Sequence, residues 1–170
     1  MADLTIRRAD DDDVAEVVAI LGEATEWLRS KGIVQWPDRF PRSVMAAAVD
    51  SGGLFVVTEG SVMVATVTLL WSDPSFWGDR DDAGFVHRLA VRRSHAGMGR
   101  TVLDWAAGQA RSVGRTHLCL DCLATNERLR RYYEELGFRL VKEVPGPSEH
   151  PHSAAHGSWR AALYEKSIAE

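Results

Sequence analysis

The densest chemistry in this chain lies between Leu89 and Arg100. Leu89-Ala90-Val91-Arg92-Arg93-Ser94-His95-Ala96-Gly97-Met98-Gly99-Arg100 reads as a strand, a short glycine-containing loop and the start of a helix. Gly97 and Gly99 let the backbone come close to a ligand. N–H groups at a helix start point outward and favour an anion. Arg92, Arg93 and Arg100 surround the loop with charge suited to phosphate. The run lacks the Gly-Lys-Ser/Thr of a P-loop, and Val102 stands where a dinucleotide fingerprint needs its third glycine. On these residues alone, a ligand-free turn explains the two glycines equally well.

Two other clusters invite a chemical reading. Cys119 and Cys122 form a CxxC inside the apolar run Leu118 to Leu123. A zinc site needs a second ligand pair, and none is present, so no metal is expected. Residues three apart in a strand face opposite ways, which disfavours a disulfide between them. Two buried or half-buried free thiols are expected, as in a reducing cytoplasm. His150, His152 and His156 lie in the proline-containing stretch from Pro145 to Ser158. Such tracts can bind metal, but a mobile surface loop is the simpler expectation.

The elements that must position these residues follow from periodicity and turn chemistry. Leu4 to Arg8 reads as a strand, and the acidic run Asp10 to Asp13 suits a helix start. Val14, Val17, Leu21, Ala24 and Leu28 recur at helical spacing up to Lys31-Gly32. Pro41 to Asp50 reads as a second helix. Leu54 to Thr58 and Val62 to Trp71 read as a hairpin about Glu59-Gly60-Ser61. Ser72 to Asp82 reads as a polar loop. Strand Phe85 to Val91, helix Gly97 to Val113, strand Thr116 to Leu123 and helix Asn126 to Leu136 come next. Strands Phe138 to Val144 and Trp159 to Lys166 close the order. This α/β pattern predicts a mixed sheet of about seven strands flanked by about four helices.

The 170 residues fit one domain, and the balance of apolar and charged residues is that of a globular protein. A net charge of −4 argues against nucleic acid as a main partner and is compatible with a cationic amine. Residues 1–4 show no secretory pattern, and no apolar run approaches the length of a membrane span. A soluble, cytoplasmic protein without membrane partners is expected.

From Val86 to Phe138 the sequence resembles the acetyl-CoA-binding core of the GNAT superfamily. The matching parts are Leu89-Ala90-Val91, the loop Ser94 to Gly99, Asn126, and Tyr133-Glu134-Glu135-Leu136-Gly137-Phe138. They occur in the family's order and at its spacing. The loop departs from the family at Ser94, where Gln or Arg is usual, which leaves the pyrophosphate's side-chain contact to Arg93 or to none. The resemblance implies a GNAT-like fold over residues 1–170 and an acetyl-CoA-dependent N-acetyltransferase. It implies that the pantetheine lies between two splayed parallel strands, and that a primary amine of a small molecule attacks the thioester directly. Ser94, His95, Ala96, Gly97, Met98, Gly99 and Arg100 would hold the pyrophosphate, and a backbone N–H from Leu89 to Val91 would polarise the thioester carbonyl. Asn126 would lie near the pantetheine while also capping the helix from Glu127. Tyr133 occupies the general-acid position, where a phenol of ordinary pKa about 10 can protonate a thiolate. His87 is the first candidate for the base that deprotonates the amine, with Glu26 and Asp121 as alternatives. Arylalkylamine N-acetyltransferases carry a histidine at the same offset, usually with a second one two residues earlier, where this chain has Phe85. Trp27, Trp36 and Phe40, with Trp71 and Trp77, could line an aromatic acceptor pocket or simply pack the core. A non-catalytic acyl-CoA sensor and an enzyme acting on a protein amine are the alternative functions. A homodimer through Trp159 to Ile168, taken as an edge strand, is a further expectation.

Overall fold

The computed structural model describes residues 3–148 and 157–169. His150, His152 and His156 therefore lie outside the described residues. Seven strands form a sheet in the order β1-β2-β3-β4-β5-β7-β6, where β1 is Leu4–Arg8, β2 Leu54–Glu59, β3 Val62–Leu70, β4 Ala83–Val91, β5 His117–Leu123, β6 Arg139–Pro145 and β7 Arg160–Ser167. Five helices accompany them: α1 Val14–Ser30, α2 Arg42–Asp50, α3 Pro74–Trp77, α4 Gly99–Ser112 and α5 Glu127–Glu135. The mixed α/β architecture is the expected one. Two compact units share the chain, one of residues 1–69 and 87–102, the other of residues 70–86 and 103–170.

In the first unit, β1, β2 and β3 are antiparallel neighbours. The β2–β3 hairpin turns over Gly60-Ser61, and Gly60 takes φ +61°, as a two-residue turn between right-twisted strands requires. Helix α1 buries Val14, Val17, Ile20, Leu21 and Thr25. Of the residues the pattern pointed to, Ala24 packs partly buried against this core and Leu28 is half-buried, while Ile20 and Thr25 join the buried face without having been expected there. A helix of 3.6 residues per turn drifts from a seven-residue repeat, so its buried face moves onto Thr25. The Thr25 hydroxyl donates to the Leu21 carbonyl at 2.9 Å, which satisfies it there. Met45, Phe40, Leu54, Val56, Met63 and Ala90 complete this core. Asp10 and Asp13 reciprocally cap the 3-10 turn Asp11–Asp13 that leads into α1, and Arg7 grips the Asp13 carboxylate at 2.7 and 2.9 Å. That grip, above all, holds the Asp13 pKa below the usual carboxylate range.

In the second unit, the start of β4 runs parallel to β5, with Ala83 opposite His117 and Val86 opposite Leu120. Phe85 and Cys119 pack together with Ala83, and Trp77 covers them. Cys119 and Cys122 are both free and buried, as expected. The polar loop anticipated from Ser72 to Asp82 contains a four-residue helix, Pro74–Trp77. Pro74 is preset for a helix's first turn, and the Trp77 N–H donates to the Asp73 carbonyl at 2.9 Å. A larger correction concerns the end of the chain. Strand β7 is not an edge, because it pairs with β5 on one side and β6 on the other. Its ladder groups are already used, so the exposed edge belongs to β6, where Leu140 and Val141 face solvent. The buried Glu165 of β7 is held by Arg80 at 2.6 Å and by Arg139. Burial opposes its ionisation, but these arginines outweigh burial and keep its pKa low. Among the described residues, no helix is long and apolar enough to cross a membrane.

Candidate active site

The first unit carries the glycine loop. Strand β4 brings His87, half-buried, to its middle, and Ala90 is buried against the core. Between them Arg88 has φ +50°, the one left-handed non-glycine backbone among the described residues. A left-handed residue costs about 1–2 kcal/mol outside glycine. It also breaks the regular alternation of a strand, so β4 is kinked immediately before Leu89-Ala90-Val91.

The loop then folds back on itself. His95 N–H donates to Arg92 O at 2.8 Å, Ala96 N–H to Arg93 O at 3.4 Å and Met98 N–H to His95 O at 3.2 Å. Three of the N–H groups expected to face a phosphate are therefore turned inward. Gly97 has φ +99°, and a Cβ built on it would meet nothing within 4 Å. Only glycine adopts this conformation readily, so α4 begins at Gly99 and not at Gly97. Val102 N–H, bonded to Met98 O at 3.1 Å, closes the first turn. The N–H groups of Gly99, Arg100 and Thr101 precede any intrahelical acceptor, and with Gly97 they are the donors left for an anion.

The side chains of the loop have distinct employments. Glu16 and Glu23, seven residues apart on one face of α1, both hold the Arg92 guanidinium, Glu23 at 2.9 Å, while Arg92 Nε donates to the Met63 carbonyl at 2.9 Å. Arg93 lies over the Trp27 ring at 4.1 Å, and its N–H donates to Glu23 at 3.1 Å. Arg92 thus braces the loop against α1, and Arg100, which is exposed, is the loop arginine without such a partner among the described residues. Ser94 Oγ lies 2.8 Å from His95 Nδ1, and His95 Nε2 lies 3.0 Å from a Glu59 carboxylate oxygen. These three side chains form a chain that ties the loop to the end of β2. Glu26, an alternative base, is exposed on α1. Trp36 packs edge-on against the buried Phe40 at 5.7 Å, so both serve the core.

The second unit carries Asn126 and Tyr133. Asn126 is buried, and its side-chain oxygen accepts from Leu129 N–H at 3.2 Å, capping α5 as expected. Tyr133 is buried among Tyr132, Phe138 and Tyr164, with ring centroids 5.8, 5.9 and 6.2 Å away. Gly137, at φ +90°, turns the chain so that Phe138 N–H donates to Tyr133 O at 3.0 Å. The spacing from Tyr133 to Gly137-Phe138 is thus a helix-ending motif that folds Phe138 back onto the tyrosine. Burial pushes the Tyr133 phenol well above its ordinary pKa, and Cys122 and Asp121 add to the effect. Its hydroxyl has no hydrogen-bond partner among the described residues. Asp121 itself is half-buried on β5, opposite Leu163.

Sequence reasoning did not find the Arg88 kink, the Glu59–His95–Ser94 chain or the Arg92 brace. The seven-residue spacing of Glu16 and Glu23 was the available signal for the brace. Nothing local marks an arginine for a left-handed backbone.

Comparison with known proteins gives one consistent result. The profile of the acetyltransferase (GNAT) family matches residues 21–138. The uncharacterized N-acetyltransferase YesJ of Bacillus subtilis (strain 168) is 30% identical over 142 residues, covering 76% of this chain and 78% of that protein. A GNAT-family acetyltransferase from Listeria monocytogenes superposes with a TM-score of 0.75 at 19% identity, covering 98% of each chain. The Salmonella typhimurium protein yncA, solved with its cofactor acetyl-CoA, superposes with a TM-score of 0.70 at 21% identity, covering 99% of this chain and 96% of that one.

Proposed function

The chain belongs to the acetyltransferase (GNAT) family, whose enzymes take acetyl-CoA as co-substrate, and from that premise we propose that it acetylates a primary amine on a small molecule while both substrates are bound, with residues 1–170 acting as one catalytic domain. The observation that carries this reading is the turn at Gly97. It combines a left-handed glycine, open space where a Cβ would stand, and a helix start whose first N–H groups lack acceptors. A pyrophosphate fits that donor set, because backbone N–H groups at a helix start favour anions. Arg100 adds a charge there, and Ser94, His95, Ala96 and Met98 shape the loop.

Acetyl-CoA supplies an acetyl thioester whose C–S bond is exchanged for a C–N bond. In this reading, N–H groups of Leu89, Ala90 and Val91, beyond the kink, polarise the carbonyl oxygen. His87 takes the proton that leaves the amine nitrogen. Tyr133 gives a proton to the departing sulfur. Its burial keeps the phenol protonated at neutral pH, the form that a proton donor needs. Asn126 holds the start of α5, which carries Tyr133.

The test is calorimetric titration with acetyl-CoA, followed by an assay of thiol release over small amines and short peptides. Micromolar binding with release on small amines supports the reading. Release only with peptides makes a protein amine the acceptor, and binding without release on any amine identifies a sensor. A folded protein that does not bind acetyl-CoA overturns the proposal.

A further inference from the structure

Arg88 is out of keeping with the other shielded arginines of this protein. Arg80 meets Asp82 and Glu165, Arg92 meets Glu16 and Glu23, and Arg130 meets Glu143. Arg88 is half-buried, yet no ion pair or hydrogen bond engages its guanidinium among the described residues. Burying a charge without a partner is costly, and groups perturbed in this way cluster at functional sites. The backbone at Arg88 is also held at φ +50°, a conformation that glycine would adopt more readily. Strain of this kind collects at functional sites. Burial alone pulls the Arg88 pKa below the ordinary guanidinium value.

Its place along β4 restricts the ligand. At about 3.3 Å per residue, Arg88 stands roughly 13 Å of strand before Arg92, where the glycine loop begins. The loop's own donors serve the phosphates, and Arg88 is next to His87 at the opposite end of this segment. We infer that Arg88 binds a carboxylate on the acyl acceptor, so that the substrate is an aminocarboxylate and not a simple amine. A guanidinium offers paired N–H donors that match a planar carboxylate. The chain's net charge of −4 suits the ammonium end of such a zwitterion, and Arg88 suits the other end. This inference rests on the acetyltransferase reading and narrows its substrate.

The experiment compares L-amino acids and ω-aminocarboxylates with their matched carboxamides, with aminophosphonates as a third arm, in the wild type, Arg88→Gln and Arg88→Lys. Each protein is first titrated with acetyl-CoA. The expected wild-type result is kcat/KM at least about 100-fold higher for the best acid than for its carboxamide, a floor below the roughly 10⁴–10⁵ by which a site can reject a substrate lacking its polar partner. Arg88→Gln should bring that ratio near one by raising the acceptor KM, with acetyl-CoA binding kept. Arg88→Lys should restore part of the preference. Aminophosphonates turned over in place of carboxylates would overturn the carboxylate assignment. So would carboxamides turned over as well as acids, or no turnover of any acid by a protein that binds acetyl-CoA. In each of those cases the cofactor reading stands, whereas a folded wild type that fails to bind acetyl-CoA removes both. The acid-to-amide ratio of the wild type decides the matter even if a variant does not fold.

Discussion

Replacing Gly97 with glutamate separates the cost to the fold from the cost to the site. Gly97 has φ +99° with open space around its missing Cβ, so the cost to the fold comes from the backbone conformation and not from a clash at the Cβ. The backbone conformation alone should cost about 1–2 kcal/mol for a residue other than glycine. For a chain of this size that lowers the melting temperature by roughly 2–8 °C. The carboxylate adds a like charge where the pyrophosphate should bind. At about 5 Å and an effective dielectric near 20, one such pair opposes binding by about 3 kcal/mol. That is on the order of a 100-fold loss of affinity. Gly32→Glu is the control, since Gly32 has φ +75° and equally open surroundings but lies at the end of α1. Thermal melting and calorimetric titration of acetyl-CoA, run side by side, give both quantities. Gly32→Glu should melt lower and bind normally, while Gly97→Glu should melt lower and bind poorly. A folded Gly97→Glu protein with unchanged acetyl-CoA affinity would refute the placement of the pyrophosphate at this loop.

Tyr133→Phe removes only the hydroxyl, so kcat should fall by about 10²–10⁴ with little change in the KM for acetyl-CoA. Unchanged kcat in steady-state assays would leave Tyr133 as a packing residue. Burial pushes the Cys119 and Cys122 thiols up to about 12. Alkylation at pH 8 should therefore be slower than for an exposed thiol by about 10³-fold and become rapid only in denaturant, because the thiolate is the reactive form. Mass spectrometry showing fast native labelling would contradict that. Asp13→Asn should cost about 1.5–3 kcal/mol at pH 7 by breaking the charge-assisted grip of Arg7. Because the folded pKa of Asp13 is depressed, this contribution is present above the unfolded carboxylate's pKa and is lost as pH falls through the folded one. Melting curves of wild type and variant should run parallel above about pH 5 and converge in acid; a constant gap down to low pH would count against it.

Most elements could be read from local pattern, and the exceptions have physical causes. Helix α3 escaped because four residues are too few to show a periodicity. Ile20 and Thr25 were missed on the buried face of α1 because a seven-residue spacing only approximates the helical turn. The position of β7 was misjudged because strand order depends on which ladders pair, and a strand's own residues do not announce its neighbours. In the candidate site, Gly97 and Gly137 were legible because their backbone conformations demand glycine. The expectation that Ser94 to Arg100 all face the phosphate was too broad. Internal turns engage the N–H groups of His95, Ala96 and Met98.

The sequence by itself determined the order of the seven strands and the four longer helices, the glycine loop ahead of α4, the Asn126 cap and the spacing from Tyr133 to Phe138. Each of these depends on interactions among residues a few positions apart, which local composition encodes. Tertiary structure alone decided that Glu16 and Glu23 brace Arg92, that Glu59 reaches His95, and that Tyr133 is desolvated among three aromatic rings. It alone decided that Arg88 is strained and shielded without a partner among the described residues. Those properties depend on residues brought together from distant parts of the chain and on the exclusion of water between them, and no short stretch of sequence carries that information.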